Sequence, residues 1–156
     1  MPAPALSYMI LTGALIVVIL TVQVFYFHVV DNVWADMVRR ELKELTDYVA
    51  DTIANLYFLV NSTNTNPSLE KTLKLPLDVG GSSYSLQITQ DAKNVKAWLQ
   101  SKSWLTVSSW LPPGLKVNTG NPPPPKTETI QSSGRTVVAG CKRVSSNIFV
   151  WIAYKG

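Results

Sequence analysis

The chain has 156 residues, of which 46% are hydrophobic, and it carries a net charge of +4 with one cysteine and one histidine. A single cysteine excludes an intrachain disulfide, so Cys141, which lies in an apolar stretch, is predicted to be a small buried side chain. Because the sequence has no metal-binding or phosphate-binding motif and only four scattered carboxylates after residue 61, we expect no enzyme, no catalytic or metal-binding residues, no cofactor and no small-molecule substrate.

Residues 5–30 form an apolar run of 26 residues without Asp, Glu, Lys or Arg. About 20 helical residues cross a bilayer, so the run is long enough for a membrane span. It is apolar on every side of a helix, which predicts burial by lipid or by other helices. No base precedes it and no Ala-x-Ala site follows it, so we do not expect a cleaved secretory signal. The residues predicted to make helix-core contacts are Leu6, Ile10, Val17, Leu20, Val24 and Phe27.

The apolar run continues, with no helix breaker, into an amphipathic segment that ends near Val60. Its apolar positions alternate steps of four and three residues, which predicts a one-sided helical stripe. A single helix from Pro4 to Val60 would be roughly 85 Å long, and a membrane anchor followed by a separate soluble helix is the alternative. The residues predicted to pack this stalk against a folded head are Val38, Leu42, Leu45, Val49 and Leu56.

Loop-forming residues 61–67 divide the chain into a long helix, residues 1–60, and a β-rich head, residues 61–156. Asn61 begins an Asn-Ser-Thr sequon and is therefore a candidate glycosylation site if the head lies outside the cell.

Alternating apolar residues and turn signals predict short strands in the head. They are centred on residues 73–77, 84–88, 104–110, 115–117, 129–131, 135–138 and 147–154, while residues 95–99 fit either a strand or a short helix. Gly80-Gly81 is predicted to be a turn, Ser133-Gly134 a hairpin turn, and the four prolines at 122–125 a stiff loop. The last strand is apolar on both faces, which predicts a central place in its sheet, between the helix stripe and a second sheet layer. The predicted fold class is α+β, with a long N-terminal helix packed on a C-terminal antiparallel β-sandwich-like head.

Charge is unevenly distributed along the chain. Residues 1–60 carry three bases and six acids, a net charge of −3, whereas residues 61–156 carry eleven bases and four acids, a net charge of +7. A basic head favours anionic partners such as DNA, acidic glycans or lipid headgroups, and a solvated lysine-rich surface is the alternative. Arg39, Arg40 and Lys43 follow the apolar run closely, and by the positive-inside rule alone they favour a cytoplasmic head.

The apolar helix, its amphipathic extension and the Ser/Thr/Asn-rich β-head together resemble archaeal type IV pilins and archaellin-related surface proteins. The segment LPLDVGGSSYSLQI, residues 75–88, is similar to the first strand region of many such proteins. The resemblance implies a structural subunit of a cell-surface filament that self-associates through its N-terminal helix and resides in the membrane before assembly. It also implies a short basic leader. Residues 1–5 contain no base, so we expect either that the leader is already removed from this numbering or that the protein is not processed.

Two other functions are consistent with the sequence. One is a non-polymerising, single-span membrane protein with an extracellular binding β-domain, such as a minor pilin or a stator-like component of a surface appendage. The other is a pilin-like protein that binds nucleic acid, for which the basic, tryptophan-containing head is the motivation. All of these place the head at the cell surface, outside the membrane.

Overall fold

The computed structural model describes residues 3–63, 65–89, 91–118 and 127–155. The predicted proline loop at 122–125 lies outside these residues. One long helix, α1 (Ala3–Ser62), precedes all the strands of the described chain. These strands are β1 (Ser68–Leu73), β2 (Tyr84–Ile88), β3 (Asn94–Leu99), β4 (Thr106–Trp110), β5 (Leu115–Val117), β6 (Ile130–Gln131), β7 (Val137–Val144) and β8 (Asn147–Tyr154). The α+β class is therefore confirmed.

Helix α1 begins and ends within two residues of the predicted limits. Pro4 lies in its first turn, where a missing N–H leaves no acceptor unpaired. At the other end, the Arg143 guanidinium donates hydrogen bonds to the carbonyl oxygens of Thr63, at 2.7 Å, and Asn61, at 3.3 Å. A cation at this position also interacts favourably with the negative end of the helix dipole. Strand β7 therefore supplies a cap for the C-terminus of α1.

The described residues form two compact units that meet between Asp36 and Met37. The first unit is the N-terminal part of α1, and the second contains the remainder of α1 together with the strands. The prediction divided the chain at residue 60, where the helix ends. Contacts instead group residues 37–62 of the helix with the strands, because that part of α1 shares their core.

The strands form two four-stranded sheets. The first sheet has the order β1-β7-β8-β5 and the second has the order β4-β3-β2-β6. Every pair is antiparallel except β5 with β8, which is parallel. The predicted antiparallel head thus contains one parallel pair. Strand β8 has a neighbour on each side, and its central place in the sheet, predicted from its continuous apolar sequence, is confirmed.

The start of the first sheet differs from the prediction. Residues 73–77 alternate apolar and polar side chains, but only Leu73 belongs to a strand, because β1 covers the mostly polar Ser68–Leu73. Pro76, which lacks a backbone N–H donor, follows the end of β1. The predicted Gly80-Gly81 turn is confirmed: both glycines have positive φ, and Val79 and Ser82 exchange two backbone hydrogen bonds of 3.0 Å across them.

The predicted hairpin at Ser133-Gly134 is wrong. Strand β6, before it, pairs with β2 in the second sheet, whereas β7, after it, pairs with β1 and β8 in the first sheet. The two residues therefore connect sheets instead of reversing the chain within one. Residues 95–99, left open between strand and helix, belong to strand β3.

One side of α1 in the second unit is buried, and both sheets contact it. The Ser109 hydroxyl of β4 lies 2.8 Å from Oγ1 of Thr46, and the Cys141 thiol of β7 lies 4.0 Å from the carbonyl oxygen of Ile53. Leu59, although apolar, is 57% exposed and lies outside the stripe. The buried apolar stripe is Val38, Leu42, Leu45, Val49, Ile53, Leu56 and Val60.

Candidate functional site

Residues 6–30 of α1, the apolar segment, expose their large hydrophobic side chains. Among the described residues one helix, Leu6–Ser62, is long and apolar enough to cross a membrane by length and composition, and none of its most apolar stretch is buried. Each buried Å² of apolar surface contributes about 25 cal/mol, so this segment gains much from covering by lipid or by other chains. The predicted helix-core residues are all more than half exposed within the chain: Leu6, Ile10, Val17, Leu20, Val24 and Phe27.

The five residues predicted to join the stalk to the head are all buried: Val38, Leu42, Leu45, Val49 and Leu56. They lie on the side of α1 from which Thr46 and Ile53 contact the two sheets. The part of α1 in the first unit thus exposes its apolar surface, whereas the part in the second unit has its apolar stripe buried.

A cluster of four polar side chains joins α1 to β4. Lys43 Nζ donates hydrogen bonds to Asp47 Oδ1, at 2.8 Å, to the Ser109 hydroxyl, at 3.0 Å, and to the Ser108 carbonyl, at 3.1 Å. The Ser109 hydroxyl also donates to Asp47, and Thr46 is fully buried beside it. Hydrogen bonds from Lys43 and then Ser109 hold the pKa of the Asp47 carboxyl below its ordinary value of 3.8.

A serine beside a lysine is also an arrangement used for nucleophilic catalysis. Here the Ser109 side chain is buried, its residue being only 3% exposed, and its hydroxyl is already engaged by Lys43, Thr46 and Asp47. A substrate therefore cannot reach the Ser109 hydroxyl oxygen, which would have to act as the nucleophile. The geometry supports a structural role, in which the cluster ties edge strand β4 to the helix.

The predicted glycosylation site Asn61 lies in the last turn of α1 and is exposed. Its side-chain oxygen accepts a hydrogen bond of 2.8 Å from Arg143. Cys141, predicted to be buried, is fully buried and unpaired in the described chain, and desolvation raises the pKa of its thiol to about 12. A thiol in this environment is a poor nucleophile.

Sequence reasoning missed one surface, on the second sheet. Side chains of its strands alternate between a buried face, which carries Ser109 and meets α1, and an opposite face. We call the opposite face the tryptophan face. The register of β2, β3, β4 and β6 assigns to it Ser85, Gln87, Asn94, Lys96, Trp98, Thr106, Ser108, Trp110 and Gln131. The sequence shows that Lys96 and Trp98 alternate with apolar residues, but it does not show which strands pair with each other.

Among the described residues, no three His, Cys, Asp or Glu side chains are grouped so that they could hold a metal ion. No protein-family model, curated protein or solved structure matches the chain.

Proposed function

We propose that the chain is a pilin-like structural subunit of an archaeal type IV pilus-like surface filament. The observation that carries the proposal is the exposed apolar segment, which continues along the same helix into residues whose apolar stripe is buried. Such a segment needs a partner that covers it on all sides, and neighbouring copies of the same helix supply one.

In the proposed filament, the apolar segments form the central bundle and the heads lie on the outside. Contacts in the bundle are made by residues on several sides of the helix, among them Ile10, Val17 and Val24. In the head, the two sheets pack in a sandwich-like manner around the buried part of α1. Before assembly the apolar segment resides in the membrane, and the head lies at the cell surface, where Asn61 can be glycosylated.

A second candidate is a non-polymerising protein with one membrane span and an external binding domain. The observation that favours it is a group of exposed aromatic side chains, Phe25, Tyr26 and Phe27, near the end of the apolar segment. Aromatic residues concentrate at the boundary between lipid and water, and their bulk suits lipid more readily than a close-packed bundle.

Cysteine cross-linking distinguishes the two candidates, because the native Cys141 is buried and gives a clean background. Val17→Cys places a thiol in the middle of the apolar segment. As a matched control, Ser133→Cys places one on an exposed loop of the head. After mild oxidation of material released from cells, a filament subunit is expected to yield disulfide dimers from Val17→Cys and not from Ser133→Cys. A monomeric band from Val17→Cys in every fraction would contradict the filament and favour the anchor.

A further inference from the structure

The tryptophan face is partly exposed, and none of its nine side chains carries an acid group: Lys96, Thr106, Ser108, Trp110 and Gln131 are exposed, Gln87, Asn94 and Trp98 are half-buried, and Ser85 is buried. Trp110 is 78% exposed, although a side chain of this size is ordinarily well buried. The same face carries amide and hydroxyl side chains from three further strand positions, Gln87, Thr106 and Ser108, all of them wholly or partly exposed. The indole of Trp110 is therefore accessible to a ligand from solvent.

The register fixes the spacing of the two tryptophans. Trp98 on β3 lies opposite Thr106, and Trp110 stands four residues further along β4. At about 3.3 Å per residue and about 4.8 Å between strands, their Cα atoms are about 14 Å apart. This separation spans several sugar rings of a polymer and exceeds a single monosaccharide.

Among the nine residues of the face the charge has one sign, and the acid Asp91, which lines a cavity beside Trp110, is paired with Lys93 at 3.9 Å. Lys96 lies opposite Ser108, between the positions of the two tryptophans, and its side chain is exposed. It has no ion-pair partner in the described parts of the chain, and none of the nine residues assigned to the face is an acid. The face is therefore complementary to a ligand that is flat, rich in hydroxyl groups and negatively charged.

We propose that the tryptophan face binds an acidic polysaccharide. Sugar rings stack on the exposed indole of Trp110 and on the accessible part of the half-buried Trp98. Hydroxyl groups of the sugars bond to Gln87 and the other amides, and a uronate carboxylate pairs with Lys96. The proposal rests on the external position of the head and is independent of whether the protein polymerises.

Single-stranded nucleic acid also combines flat rings with negative charge. Binding of that kind draws most of its affinity from phosphate contacts with several lysines or arginines. The tryptophan face carries only Lys96, whereas amides and hydroxyls make up most of it. The composition therefore favours a sugar polymer over nucleic acid.

The test uses the full chain in detergent micelles and measures binding by calorimetry and by quenching of tryptophan fluorescence. The probes are polygalacturonate, which is acidic, dextran, which is neutral, and single-stranded oligothymidine. Two pairs of variants are compared. Trp110→Ala is matched by Trp104→Ala, an exposed tryptophan outside the face, and Lys96→Gln is matched by Lys116→Gln, an exposed lysine on β5.

We expect polygalacturonate to bind more tightly than dextran and oligothymidine. Trp110→Ala is expected to weaken this binding about tenfold, and Lys96→Gln to weaken it several-fold and reduce its salt dependence. The two matched variants should bind as the unchanged protein does.

Tighter binding of oligothymidine would overturn the proposal in favour of nucleic acid. Equal binding of dextran, or the same loss from Trp104→Ala as from Trp110→Ala, would also overturn it, as would no binding of any probe. These results are independent of cross-linking and imaging, so a failure here leaves the filament proposal standing.

Discussion

The indole ring of Trp151 on β8 lies directly over Gly140, its partner on β7. A Cβ atom built on Gly140 would overlap Cζ2 and Cε2 of that ring. Trp151 is fully buried, and its Nε1 has no hydrogen-bond partner in the described structure. Because residue 140 has no side chain, the core has room for Trp151, the largest of its fully buried side chains.

Gly140→Ala is expected to destabilise the second unit by about 3 kcal/mol, because a rigid and fully buried ring would have to shift to make room for the added Cβ. Trp151→Phe removes the unpartnered N–H together with part of the ring, so its own cost is smaller. In the double variant, we expect the alanine to cost much less than in the unchanged background. Chemical denaturation in detergent, followed by circular dichroism of the β-structure, measures the free energy of unfolding of the two single variants and the double variant. If the two single losses of stability simply add in the double variant, the contact between Gly140 and Trp151 is contradicted.

The Asp47 carboxyl is expected to make stability depend on pH in the acid range. Its pKa in the folded chain lies below 3.8, so the unfolded chain binds more protons as the pH falls. The stabilisation is therefore present above about pH 4 and is lost as the pH falls through the folded pKa. Because the pair with Lys43 is about half exposed, we expect a contribution of at most about 1 kcal/mol.

Two variants isolate this contribution. In Asp47→Asn, stability should fall less with decreasing pH than it does in the unchanged protein. Lys43→Gln removes the first partner of the carboxylate and should weaken this pH dependence in part. Thermal unfolding between pH 2.5 and 6 supplies the comparison. A pH dependence that is unchanged in Asp47→Asn would show that the cluster with Ser109 does not stabilise the charged carboxylate.

The Cys141 thiol is expected to be unreactive in the folded chain. It is fully buried against Ile53, and its pKa of about 12 leaves little thiolate at neutral pH. Ellman's reagent at pH 8 should modify it only at the rate of unfolding, while an exposed thiol introduced by Ser133→Cys should react at once. Rapid modification of Cys141 without denaturant would contradict the burial of β7 against α1.

Arg143→Ala is expected to destabilise the end of α1 by about 1 kcal/mol. The substitution removes the hydrogen bonds to Asn61 and Thr63 and the charge beside the helix C-terminus. Lys142→Ala, at the neighbouring position of β7, is the control and should cost less. Hydrogen exchange of the amides in the last turns of α1 measures the difference, and equal protection in both variants would argue against a capping role.

The elements with strong local periodicity could be predicted from the sequence. Strand β8 was predicted with the bounds that the structure gives, because its apolar sequence is continuous, and α1 because its stripe repeats over several turns. Strand β1 was misplaced because the Ser68–Leu73 segment is polar and forms a strand only by pairing with β7, far along the chain.

The tryptophan face could not be predicted for a related reason. The sequence predicts a strand containing Trp110 but leaves residues 95–99, which contain Trp98, open between strand and helix. Which residues stand opposite each other depends on strand register. The burial of Ser109 against α1 determines which side of β4 faces outward, and no local pattern encodes that contact. The same limit explains the false hairpin at Ser133-Gly134, where a sound turn signal carried no information about which sheet each flanking strand joins.

Imaging of sheared cells tests the central claim most directly. Cells that produce the full chain are sheared, and the released material is separated from membranes, examined by electron microscopy and probed with an antibody to the head. If the apolar segments pack together as proposed, fibres labelled along their length by the antibody should appear in the released fraction. Recovery of the protein wholly in the membrane pellet, with no labelled fibre, would contradict the filament and leave the single-span anchor.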